Sequence, residues 1–215
     1  ARAMGFLQAI TGGDGRIPLF NDSAFGIAPE PAALLDYGRR VLGAAAPALP
    51  AEPLRVDCPD TGYFGYRAGG DSLLIDCGPV GPDYQPGHAH CDTLSYELCV
   101  DGRRVIVDTG VFSYEADALR HAVRSTAAHN TVRVDGAEQS EIWAAFRVAR
   151  RARPLEARLG PLHDGRLEFA GAHDGYRRLP GRVTHRRRVV MELAGRWSVF
   201  DVIADEKGLS HEVES

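Results

Sequence analysis

Leu94-Ser95-Tyr96-Glu97-Leu98-Cys99-Val100-Asp101-Gly102-Arg103-Arg104-Val105-Ile106-Val107-Asp108-Thr109-Gly110 is the stretch that decides the fold class. Two runs rich in β-branched and apolar residues flank Asp101-Gly102. That dipeptide accepts the paired positive φ angles of a type I′ turn, so the stretch predicts a tight antiparallel hairpin. The same alternation of short strand-like runs and turn signals continues in both directions. Tyr63 to Ala68 and Ser72 to Cys77 are separated by Gly69-Gly70-Asp71, and Thr131 to Val134 ends at Asp135-Gly136. Later runs with strand character are Arg147 to Ala152, Leu167 to Ala170, Arg182 to Leu193 and Trp197 to Ile203, while Ala116 to Arg124 reads as a short helix. Short strands with turns between them predict a mainly β protein, an antiparallel β-sandwich, and not a βαβ sheet.

The first fifty residues differ. Gly12-Gly13-Asp14-Gly15 is a turn cluster and Arg16 to Ser23 an irregular connector. Pro29-Glu30-Pro31 opens a helix whose apolar positions Leu34, Leu35, Tyr37, Val41 and Leu42 recur at helical spacing. Ala44 to Pro53, rich in alanine and proline, reads as a linker. We therefore expect residues 1–50 to be the tail of a preceding helical domain and 51–215 to form the sandwich. His211 to Glu214 could begin a further strand, so both ends read as cut.

Composition excludes several classes. A net charge of −4 gives no general footprint for nucleic acid. No apolar run approaches the length needed to span a bilayer, and residues 1–5 carry no signal-peptide pattern. Lys207 is the only lysine, so nearly all positive charge is arginine. A biased composition accounts for this, and so does a ligand with carboxylate or sulfate groups that suit the guanidinium fork. Cys58, Cys77, Cys91 and Cys99 lack any Cys-x-x-Cys spacing, which rules out a zinc ribbon or thioredoxin motif. Cys58 and Cys77 could pair across strands, but free thiols are the simpler reading.

Chemistry concentrates in Gly87-His88-Ala89-His90-Cys91-Asp92. On an extended chain a His-x-His pair puts two imidazoles on one side, an arrangement suited to a metal, although loop histidines can also be merely solvated. Asp108 closes the hairpin and could be a third ligand or a turn residue. Regular pairing around a two-residue loop sets Asp108 across from Ser95, out of register with His90. The two can converge only if the chain is irregular between His90 and Leu94. His129, in Arg124-Ser125-Thr126-Ala127-Ala128-His129-Asn130-Thr131, would complete two imidazoles and a carboxylate, a reasonable set for zinc. Cys91, beside His90, faces the opposite way and reads as a bystander.

Taken in order, Gly87-His88-x-His90-x-Asp92-x-Leu94-Ser95-x-Glu97-Leu98, Val107-Asp108-Thr109-Gly110 with Tyr114, Arg124-Ser125-Thr126-x-x-His129-Asn130-Thr131 and Asp135-Gly136-x-x-Gln139 resemble the heparinase II/III-like signature. Asp14-Gly15-Arg16-Ile17-Pro18, Asp174-Gly175-Tyr176 and His185-Arg186-Arg187 fit the same pattern. The resemblance implies an (α/α) toroid followed by an antiparallel β-sandwich, with an acidic polysaccharide cleft between them. It implies β-elimination on uronic-acid-containing glycans such as glycosaminoglycans, in a periplasmic or secreted setting. By it, His90, Asp108 and His129 correspond to ligands of one zinc ion, His88 and Tyr114 to catalytic residues, and Arg124 and Asn130 to substrate-binding residues. The toroid would lie outside this chain, which alone would hold metal but turn over little substrate.

Two other readings stay open. One is a metal-stabilised, non-catalytic carbohydrate-binding sandwich, in which Trp143, Tyr63, Phe64 and Tyr66 could stack on sugars or simply fill the core. The other is a metal-dependent hydrolase built on His88-x-His90-x-Asp92, although that motif expects a histidine where Thr93 stands. The run Arg182, Arg186, Arg187, Arg188 could bind an acidic glycan, but alternation with valines makes a solvated strand face the plainer reading.

Overall fold

The computed structural model describes residues 2–43, 52–192 and 195–215. Most of the expected linker, and the expected boundary near residue 50, lie outside these residues. Five strands pair antiparallel in chain order to make the first sheet: β1 (Leu54–Cys58), β2 (Tyr63–Ala68), β3 (Asp71–Asp76), β4 (Tyr96–Val100) and β5 (Arg103–Ile106). Asp101 and Gly102 both take positive φ, 50° and 74°, as a type I′ hairpin requires. A second sheet, also a meander, holds β9 (Pro154–Leu159), β10 (Arg166–His173), β11 (Thr184–Glu192) and β12 (Arg196–Ala204). Short pairs of β6 (Arg133–Val134) with β13 (Val213–Glu214), and of β7 (Ile142–Ala144) with β8 (Arg147–Val148), lie among the connecting segments.

The two sheets pack face to face, as expected of a sandwich. Phe64, Tyr66, Leu73, Ile75 and Leu98 of the first sheet meet Leu159, Leu167, Phe169, Val189 and Met191 of the second in one buried cluster. Phe64 and Phe169 lie at its centre, with ring centroids 5.3 Å apart. The tyrosine and phenylalanine considered for sugar stacking, Phe64 and Tyr66, are therefore core, whereas Trp143 is 66% exposed. β2 is pressed so tightly onto β3 that a Cβ on Gly65 would sit 1.9 Å from the Leu73 carbonyl oxygen. Gly65 also has φ +155°, so only glycine fits.

β3 is buried on both faces. Leu73 and Ile75 point to the inter-sheet core, while Leu74 points outward beneath Phe20, Val56, Ala9 and Ile10. That cover is N-terminal: α1 (Arg2–Ile10), which the sequence pattern did not reveal, and the connector after it. α2 (Pro31–Leu42) forms where the prolines and apolar spacing predict, and α3 (Ala118–Arg124) starts with the Asp117 carboxylate accepting from the Arg120 N–H at 2.8 Å. Of the expected strand Arg147 to Ala152 only Arg147–Val148 forms, and Thr131 to Val134 shortens to Arg133–Val134. β1 and β9 are not among the expected strands: each is short and has a single fully buried residue, Val56 and Leu159. All four cysteines are free thiols. Among the described residues no helix is long and apolar enough to cross a membrane.

Candidate metal and catalytic site

The site lies where β4 has not yet begun. Pro86–His88 form one turn of 3₁₀ helix, His90 to Asp92 run as irregular chain, and Leu94 takes φ +68° before β4 starts at Tyr96. A bulge follows between Leu98 and Cys99. The irregularity demanded by the register argument is thus present. It allows His90, Asp92 and His129 to converge, with one ligand atom from each within 4.8 Å of the others. All three are buried, at 0%, 3% and 7% exposure.

Asp108, expected as a ligand, is in contact with His129. It lies outside that trio, and its Oδ2 sits 2.9 Å from Nδ1 of His129, on the far side of the ring. The same oxygen accepts from Ser95 Oγ at 3.2 Å, so the pairing of Asp108 with Ser95 survives as a hydrogen bond. Asp92, weighed as a ligand only for the hydrolase reading, is the carboxylate that converges with the two imidazoles. Each imidazole has one nitrogen engaged: His129 Nδ1 by Asp108, and His90 Nε2 by Asp22 at 2.8 Å. The other nitrogens, His129 Nε2 and His90 Nδ1, are buried without any partner.

Two orphaned imidazole nitrogens beside a buried carboxylate are costly unless something fills the gap. Electrostatics point the same way. Burial, reinforced by Asp92, pushes Asp76 well above the usual carboxylate range. Burial also raises Asp92, although His129 and His90 oppose it. Burial works against protonation of His129, but Asp108, Asp92 and Asp76 outweigh it and raise its pKa. Three buried carboxylates around two imidazoles make a pocket of excess negative charge, a donor set that fits a divalent cation such as zinc.

The connector residues Asn21 and Asp22 hold this pocket shut from outside. Asn21, at φ 54°, donates its backbone N–H to Asp92 and accepts the His90 N–H on its side-chain oxygen. Asp22 accepts from His90, from His88 Nδ1 at 2.8 Å and from both terminal nitrogens of Arg120. Burial raises the Asp22 pKa, but the hydrogen bonds from His90, Arg120 and His88 reverse this and hold it far below the usual carboxylate range. No sequence signal marked Asp22. Arg120 could have been found, because it lies one helical turn before Arg124 on the same buried face of α3.

The remaining candidates divide. His88 is half exposed, and its ring packs near Tyr114 and Phe146, at 5.7 Å and 6.0 Å between centroids. Tyr114 is 51% exposed, and desolvation and Asp22 raise its hydroxyl pKa, so it stays protonated. Arg124 is 1% exposed. It donates to the carbonyls of Ala89, Ala144 and Ala145, bracing the His90 loop from behind, while its Nη2 is buried without a hydrogen-bond partner. Asn130 likewise donates to the carbonyls of Tyr96 and Val107, stitching β4 to the end of the hairpin. Both residues were expected at the substrate, and the hydrogen bonds their side chains donate here go to scaffold carbonyls, with Arg124 Nη2 left over. Cys91 points away, to the Ser140 carbonyl.

One arginine of the later run also serves the site. Arg187, 4% exposed, reaches from β11 to the carbonyls of Leu94 and Asn130 at 2.7 Å and 2.6 Å, while Asp201 grips its other nitrogens. Asp201 also accepts from His185, which touches buried His173 at 3.1 Å.

Similarity to known proteins agrees with this architecture. None of the curated proteins matches the chain. Among solved structures, the heparinase III BT4657 gene product superposes with a TM-score of 0.68 at 18% identity, over 92% of this chain and 31% of that one. The heparan sulfate lyase HepC from Pedobacter heparinus gives 0.68 at 21% identity, with the same coverages. Another heparinase III gives 0.61 at 18% identity, over 93% and 32%. The chain thus spans about a third of the length of these solved proteins, and at such identities they establish the fold. A family description of the heparinase II/III-like C-terminal region matches residues 51–213, and with the sandwich and its histidine loop in place, the chain belongs to the heparinase II/III-like family.

Proposed function

We propose that this chain is the sheet half of a polysaccharide lyase that cleaves uronic-acid-containing glycans by β-elimination, with one zinc ion beneath the cleft. The observation that carries the reading is the convergence of His90, His129 and Asp92, together with one nitrogen on each ring, His90 Nδ1 and His129 Nε2, buried without a hydrogen-bond partner. These residues would hold the ion, with Asp108 orienting His129 from behind or joining the set. When bound, zinc would neutralise the carboxylate cluster and tie the histidine loop to the sheet, a structural duty. In β-elimination a base takes the proton beside the uronate carboxyl, the bond to the leaving oxygen breaks with its electron pair, and that oxygen is protonated. His88, half exposed above the buried site, is the group on this chain suited to proton handling, with the Tyr114 hydroxyl beside it. Beside them, a cavity of about 570 Å³ lined by Tyr84, Phe146 and Arg147 suits a sugar ring and its acidic group.

The rest of the cleft would come from a helical domain outside this chain. An apolar surface suits it: Ile27 and Phe112 are 74% and 80% exposed and line a 270 Å³ hollow with Tyr114. The non-catalytic binding module remains the alternative for the isolated chain. The dinuclear hydrolase is disfavoured, because among the described residues only one group of three ligands forms.

Elemental analysis of the purified chain tests the metal. Stoichiometric zinc should be retained and then lost in His90→Ala and His129→Ala, with Asp92→Ala and Asp108→Ala separating the two carboxylates. Ultraviolet absorbance of an unsaturated uronide, assayed on a longer protein that includes the helical portion, tests the lyase. A metal-free chain together with no unsaturated product would end the proposal.

A further inference from the structure

We infer that Asp22 is a positioning residue that sets opposite tautomers in His88 and His90, so that one carboxylate prepares both histidines of the pair for different tasks. The inference rests on the reading of His90 as a cation ligand and His88 as the proton-handling group.

A carboxylate offers about four acceptor sites, two on each oxygen. All four are taken at Asp22. Oδ1 receives Arg120 Nη1 and His90 Nε2, while Oδ2 receives Arg120 Nη2 and His88 Nδ1. An ionised carboxylate cannot donate and a guanidinium cannot accept, so both histidines must supply a proton to Asp22. His88 is then protonated on Nδ1 and bears its lone pair on Nε2, at the half-exposed end of the ring. His90, when neutral, is protonated on Nε2 and bears its lone pair on Nδ1, the buried atom without a hydrogen-bond partner. Two residues apart in sequence, the rings are thereby made inverse.

Arg120 makes the arrangement rigid. Its Nε donates to the Ala145 carbonyl, and Nη2 also reaches the Gly87 carbonyl beside His88. Its guanidinium faces the rings of Tyr114 and Phe146 at 5.2 Å each, the same two rings that flank His88. A plain structural ion pair would leave the other two lone pairs of Asp22 to solvent or backbone. Here they point at the two histidines, and the Asp22 side chain is only 6% exposed.

The test is ¹⁵N–¹H correlation of histidine ring nitrogens in the metal-free chain at mildly alkaline pH. We expect His88 as the Nδ1–H form and His90 as the Nε2–H form. Asp22→Asn leaves one acceptor oxygen, which the donor-only Arg120 claims, and puts an NH₂ donor in place of the other oxygen, so His88 should become a mixture of tautomers. Zinc affinity should fall about 10- to 100-fold, the cost of losing a carboxylate behind a ligand histidine. The opposite tautomer at either ring in the unaltered chain overturns the inference, as does an Asp22→Asn variant with unchanged ring signals and zinc affinity. Should that variant not fold, the spectrum of the unaltered chain decides alone. A chain that shows the expected tautomers but binds no zinc keeps the hub and sinks the metal reading instead.

Discussion

The molecule has two interiors, built on opposite rules. Between the sheets, Phe64, Leu73, Ile75, Phe169, Val189 and Met191 exclude water by volume alone. Beneath the histidine loop, His90, Asp92, Asp108, His129, Arg120 and Arg124 are also buried, yet each of these side chains is polar or charged. Burial in the first follows from transfer free energy and tolerates exchanges of similar size. In the second most polar groups are held by a named partner, and the exceptions among these side chains are His90 Nδ1, His129 Nε2 and Arg124 Nη2. The apolar interior makes the chain fold, and the polar one makes it specific.

Breaking each interior in turn should separate them. Phe169→Ala opens the centre of the sandwich and should cost about 4 kcal/mol in denaturant unfolding, with zinc affinity of the folded fraction intact. Arg187→Ala removes the link from the second sheet to Leu94 and Asn130. It leaves Asp201 without its ion-pair partner, for about 3 kcal/mol and a weaker zinc site as well. A variant that loses stability but keeps its zinc affinity would show that the two interiors are uncoupled. Adding zinc at a hundred times its dissociation constant should stabilise the chain by about 2.7 kcal/mol, read as a rise in Tm that His129→Ala abolishes.

The smallest effect concerns acid. Burial raises the Asp201 pKa, but its hydrogen bonds with His185 and Arg187 hold it far below the ordinary carboxylate range. The stability this group lends is therefore whole above about pH 4, the unfolded value, and is lost as pH falls through its folded value. Thermal melts of Asp201→Asn and the unaltered chain should differ most near neutrality and converge toward strong acid. A gap that widens as pH falls would contradict the sign.

The same division explains what could be read without coordinates. Period-two runs and Asp101-Gly102 determine a sandwich because sheet pairing and turn conformation are local properties of the chain. β1 and β9 carry weak signals because each is short and buries only one residue fully. In the site, His90 and His129 were recognisable as residue types suited to metal, and the family resemblance drew attention to them. Partner choice was not recognisable. Asp92 and Asp108 are the same residue type, and which carboxylate meets which ring nitrogen depends on the bulge at Leu98/Cys99 and the left-handed turn at Leu94. The family resemblance alone assigns Arg124 and Asn130 to substrate. Their burial against carbonyls is a property of packing, not of sequence. Asp22 lies 66 residues from His88, and nothing local announces a contact across that distance.

Arginine supplies nearly all the positive charge, and Lys207 stands alone, exposed, in the bend after β12. Its backbone N–H, like that of Leu209, donates to Asp205, which also meets His211 just ahead of β13. A lysine-specific protease therefore has a single scissile bond in the whole chain, and it lies in the hinge that docks β13 onto β6. The rate of that one cut reads how often the last strand undocks, and an amine-directed fluorophore placed on Lys207 would watch the same motion without cutting.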